Sequence, residues 1–61
     1  EMKTAVFEDW HVWEGTNGVL MSDERTKTLR QFSNIDACVN WLYINDKKAA
    51  ASAINKSWKR N

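Results

Sequence analysis

Trp10-His11-Val12-Trp13-Glu14-Gly15-Thr16-Asn17-Gly18-Val19-Leu20-Met21 sets two apolar segments on either side of a turn. Its centre holds the only two glycines of the chain, Gly15 and Gly18. Asn-Gly between apolar segments is the strongest short hairpin signal, because tight hairpin turns need backbone angles that Asn and Gly reach with least strain. Upstream, Thr4-Ala5-Val6-Phe7 and Trp10-His11-Val12-Trp13 are rich in β-branched and aromatic residues; downstream, Val19-Leu20-Met21 resumes an apolar strand. A first strand is therefore expected at about 4–13 and a second at about 18–22. Ser22-Asp23-Glu24-Arg25 is polar and reads as a second turn. Thr26 to Phe32 then mixes Thr, Leu and Phe with Lys, Arg and Gln, as a strand wet on one face does, which places a third strand at about 26–32.

The period changes at Ser33. Ser33 and Asp36 stand at capping-box spacing, and Ile35, Cys38, Val39 and Leu42 follow at i, i+3, i+4, i+7, which predicts a helix at about 34–44. Ala37, Trp41 and Ile44 give that helix a second apolar side, so it needs two packing partners. Asn45-Asp46 reads as a stop followed by a new N-cap, and a second helix is expected at about 46–59. On it Ala50, Ala51, Ile54 and Trp58 share one side, opposite Lys48, Lys56, Lys59 and Arg60. The expected architecture is a small single α+β domain over residues 1–61, with a three-stranded antiparallel meander followed by two helices.

Sixty-one residues is a short chain for a self-sufficient core. A chain near this size buries only about 60% of its unfolded surface, and small domains commonly recruit disulfides, a metal or another subunit. A single cysteine, Cys38, forbids an intrachain disulfide, and one histidine with one cysteine is too few for a common four-ligand zinc site. Four Trp, two Phe and one Tyr offer an aromatic-rich core instead, and association remains the other route. No stretch approaches the roughly 20 apolar residues of a spanning helix, so no membrane role is expected. The lone cysteine and the lack of a targeting segment point to the cytoplasm. Met2 reads as the native start, which fits a complete small accessory product of a bacterium or mobile element.

Charge divides along the chain. Residues 1–24 set Lys3 against Glu1, Glu8, Asp9, Glu14, Asp23 and Glu24, a net of −5, and residues 25–61 carry +6. The overall +1 therefore conceals an asymmetry that bears on partners and association.

No catalytic, cofactor or metal site emerges. His11 has no partner at a spacing that identifies a triad or an acid–base couple, and reads as a strand histidine. Cys38 sits on the apolar side of the first helix and reads as a buried, inert thiol. Trp10 and Trp13 fall on opposite faces of the first strand, unless a bulge near Glu8-Asp9 shifts the alternation, so one ring points outward. Trp10, Trp13, Trp41 and Ile44 are the candidate interface residues, tryptophan being enriched in binding hot spots. Arg25, Lys27, Arg30, Lys48, Lys56, Lys59 and Arg60 are the candidate nucleic-acid contacts, with Trp58 beside cations as in single-strand binders. No recognition-helix or ribonucleoprotein signature accompanies them. The leading expectation is a non-enzymatic protein–protein interaction module, a homodimer with or without a further protein partner. The alternative is a small DNA- or RNA-binding accessory protein using the basic half.

Overall fold

A computed structural model describes residues 2–60. The order is β1 (Thr4–Phe7), β2 (Trp10–Gly15), β3 (Gly18–Asp23), β4 (Thr28–Phe32), α1 (Ile35–Ile44) and α2 (Lys48–Arg60). The strands form one antiparallel sheet in the order β1-β2-β3-β4, and both helices lie on one of its faces. The α+β class holds; the strand count is four where the sequence suggested three.

The difference lies at Glu8-Asp9. What reads as one strand over 4–13 folds back in two residues, with Glu8 at φ 51 and Phe7 paired to Trp10. A continuous ten-residue strand would run about 33 Å, longer than the 29 Å maximum extent of the molecule. Folding back instead sets Ala5 directly opposite Val12, and both are buried. Neither Glu nor Asp is a strong hairpin signal alone, so burial of this pair rather than local turn chemistry selects the reversal.

The second hairpin follows the sequence closely. Gly15 and Gly18 face each other across Thr16-Asn17. Gly18 adopts φ 117, and a Cβ built there would collide with the Phe32 carbonyl oxygen on β4. Only glycine meets both conditions.

Register fixes the two faces of the sheet. Ala5, Val12, Met21 and Arg30 form one cross-strand row on the helix-bearing side. Cys38 and Leu42 from α1, and Ala50, Ala51, Ile54 and Trp58 from α2, close over it. These four α2 residues are the ones its periodicity groups together. Met21, Leu42, Ile54, Val12 and Cys38 are the largest side chains to lose solvent completely.

Helix ends depart from the sequence reading by one or two residues. Asn34, not Ser33, caps α1: it is extended at φ −159 and its Oδ1 accepts from the Ala37 amide at 2.9 Å. Asp46 does not cap α2. It closes α1, at φ 65, with its amide donating to the Tyr43 carbonyl and that of Lys47 to the Leu42 carbonyl. That pair of bonds is a Schellman closure with aspartate in the left-handed position that glycine usually takes. The first α2 bond runs from the Ala51 amide to the Lys47 carbonyl.

Candidate interaction surface

The candidate interface residues do not share a surface. Trp10 and Trp41 meet on the helix-bearing side, with centroids 6.4 Å apart at an interplanar angle of 61°, an edge-on contact. Phe32 packs on Trp41 at 6.3 Å, and the Arg30 guanidinium lies over the Trp41 ring at 4.4 Å. Both tryptophans are half-buried and pack against the core. Trp41 thus uses the second apolar side of α1 within its own chain. Ile44, from the same side of the helix, stays 72% exposed, and Tyr43 beside it is exposed beneath the Lys48 ammonium.

Trp13 lies on the opposite side of the sheet. Thr4, Trp13, Leu20 and Gln31 form one row there, and Val6, His11, Ser22 and Leu29 the next. Neither helix reaches this face. Val6 and Leu29 are 57% and 62% exposed, while Trp13 and Leu20 are half-buried by their neighbours. Leu20 leans over Gly15, where an added Cβ would stand 2.8 Å from its Cδ1. Leu29 reverses the expectation for β4: the leucine is on the open face, and Arg30, on the helix-bearing side, stays exposed with its guanidinium over Trp41. The sequence reading found Trp13 but missed Val6, Leu20 and Leu29. Cross-strand register places them together, and alternation from Trp13 alone points to no residue on another strand.

The basic residues are dispersed. Arg25 and Lys27 occupy the β3–β4 turn, where Lys27 pairs with Glu24 at 3.9 Å. That turn is tied to the β1–β2 turn by a bond from the Glu24 amide to the Asp9 carbonyl. Glu8, Asp9 and Glu24 therefore gather at the same end of the sheet as Arg25 and Lys27. Lys56, Lys59 and Arg60 belong to the end of α2 where Lys3 lies over Trp58. Lys3 in turn donates its amide to the Glu14 carboxylate, at the far end of β2. The two basic groups stand at opposite ends of a six-residue strand, about 17 Å apart. The −5 and +6 segments of the sequence thus interleave in space.

His11 stands between Val6 and Ser22 in its row, and the one carboxylate seen to reach that row among the described residues is Glu24, which accepts from the Ser22 hydroxyl at 2.8 Å. Cys38 is fully buried, its thiol donating to the Met21 sulfur at 3.6 Å. Burial pushes its pKa up to about 11, the opposite of what a nucleophile needs. Asp23, the one buried acidic group among the described residues, accepts from the Arg25 amide at 3.0 Å and holds the β3–β4 turn. Among the described residues no group of three or more His, Cys, Asp or Glu side chains could hold a metal, and no helix is long and apolar enough to cross a membrane.

Comparison with protein-family models, with curated proteins and with solved structures finds no match for this chain.

Proposed function

We propose that this chain is a non-enzymatic protein–protein interaction module that associates with itself, acting in the cytoplasm as a small accessory protein. One observation carries the reading. Five large apolar side chains, Met2, Val6, Leu29, Tyr43 and Ile44, are each more than half exposed on a 61-residue chain. Association is the ordinary use of such surface, because it removes apolar area from water at roughly 25 cal/mol per Å². The buried, weakly acidic Cys38 thiol, which lacks the exposure and low pKa a nucleophile needs, supports a non-enzymatic role.

Nucleic-acid binding through Arg25, Lys27, Arg30, Lys48, Lys56, Lys59 and Arg60 is the second reading. The cations Lys56, Lys59 and Arg60 at the end of α2 favour it locally, although Trp58 beside them is buried in the core and offers no ring for a base to stack on. It ranks lower because the cations fall at opposite ends of the sheet, with Arg30 held on Trp41 and Lys27 beside Glu24.

Sedimentation from micromolar to millimolar protein, at low and high salt, tests the first reading. Association through apolar surface persists at high salt, whereas phosphate-driven binding in a gel shift fades steeply with it. A strictly monomeric chain that shifts nucleic acid in a salt-dependent manner would reverse the ranking.

A further inference from the structure

We infer that self-association, the reading proposed above, takes place through the helix-free face of the sheet. Two copies stack these faces about a two-fold axis, forming an eight-stranded sandwich centred on Trp13 and Leu20.

Charge carries this furthest. The eight strand positions of the face that carry side chains are Thr4, Val6, His11, Trp13, Leu20, Ser22, Leu29 and Gln31, without one Asp, Glu, Lys or Arg. Charged residues make up 28% of the chain, and an ordinary exposed surface of eight residues would hold about two. The carboxylate of Glu24, in the β3–β4 turn, reaches the Ser22 hydroxyl at 2.8 Å at one end of the face. A two-fold interface sets a patch against itself, so any charge on it meets its own kind across the axis. A charge-free face avoids that penalty. It shares the depletion of charge of an interface core: one row is aromatic and aliphatic at its centre (Trp13, Leu20), and the next is apolar at its edges (Val6, Leu29) around His11 and Ser22. The absence of any cation also leaves this face nothing with which to neutralise phosphate, so nucleic acid is a poor occupant.

Area agrees. Four strands about 4.8 Å apart and about 17 Å long give a flat footprint of roughly 300 Å² per copy. Side-chain relief raises the surface two copies would bury to roughly 1,000 Å², where specific reversible dimers begin. Half of that, about 500 Å² per copy, is about an eighth of the 4199 Å² exposed by each chain, close to the share typical of a small protein in a complex. Stacked sheets pack about 10 Å apart, a gap that Trp13 and Leu20 from both copies can fill by interdigitating. Ile44 and Tyr43, the other exposed apolar residues on regular structure, sit at the end of α1 beside Lys48 and form no comparable continuous face.

Leu20→Glu introduces a like-charged pair at the centre of this interface while leaving the opposite, core-forming face untouched. Sedimentation is expected to show wild-type protein approaching twice 7.1 kDa at high concentration. Leu20→Glu is expected to stay monomeric, with at least a hundredfold weaker association and an unchanged circular dichroism spectrum. Spin labels supply a second readout that does not depend on the folding of that variant. Labels on Ser22→Cys should lie within about 20 Å of each other in the dimer, and labels on Ser52→Cys, on the outer side of α2, roughly 40 Å apart. Buried Cys38 takes no label in the folded protein. A dimer that survives Leu20→Glu, or one with the two label distances reversed, overturns the sheet-face assignment while self-association stands. A wild-type chain monomeric at every concentration overturns both.

Discussion

The two faces of the sheet are built from the same strands and differ in almost everything else. On one, Ala5, Val12 and Met21 lie in a row covered by α1 and α2, each 3% exposed or less. On the other, Val6 and Leu29 flank His11 and Ser22 in a row that no helix covers. Strand alternation assigns the faces, but which one becomes the core is decided by where the helices settle. The comparison separates residues that hold the chain together from residues free to meet a partner.

The sharpest way to break the comparison is to truncate one leucine on each side. Leu42→Ala, at a fully buried position, is expected to cost about 2–5 kcal/mol in denaturant unfolding, a large share of what so small a domain has. An effect below about 1 kcal/mol would mean that the helix layer is not the core.

Alkaline titration addresses the same layer through Cys38. Its folded pKa, about 11, lies above its ordinary value near 9. The unfolded chain therefore releases this proton first, and stability is expected to fall, on the order of 2 kcal/mol, as the pH rises from about 9 to about 11. Cys38→Ala should remove that part of the decline when unfolding curves are compared across the window. Parallel pH profiles for the two proteins would place the thiol in solvent.

Gly18→Ala strikes the sheet itself. With φ 117 and the Phe32 carbonyl in the way, a loss of about 1–3 kcal/mol is expected. Thermal unfolding should show it, and loss of protection at the β3–β4 amides in hydrogen exchange would localise it. Asp46→Gly should act in the other direction. Relieving the left-handed strain at the end of α1 is expected to add about 0.5–1 kcal/mol, read as a higher melting temperature.

The smallest effect belongs to the open face. Leu29→Ala should change monomer stability by no more than about 0.5 kcal/mol, measured at concentrations where association is absent. A large loss there would show that the open face is part of the core after all, and the contrast between the two faces would fail.

Much of this is legible in the residues, and the misses have identifiable causes. The Gly15-Gly18 hairpin, the shift to helical period after Ser33 and the four buried α2 residues all follow from local chemistry. The Glu8-Asp9 reversal does not, because neither residue demands a turn; it appears once Ala5 has Val12 to pair with and a finite core to cover. Asp46 illustrates the same limit. Its side chain suits an N-cap by type, yet the tight junction between the helices places it in a left-handed closure.

The candidate surface divides in the same way. Alternation along one strand sends Trp10 and Trp13 to opposite faces, so the sequence by itself determined that one large ring points away from the other. Composition and helical period likewise determined an α+β chain with a buried Cys38. Tertiary packing set Trp10 against Trp41 beneath Arg30, put Leu29 rather than Arg30 on the open face, and gathered Val6, Trp13, Leu20 and Leu29 on a face with no charged strand residue. The physical reason is register: side-chain period fixes neighbours along a strand, but neighbours across strands depend on how four strands align over one helix layer.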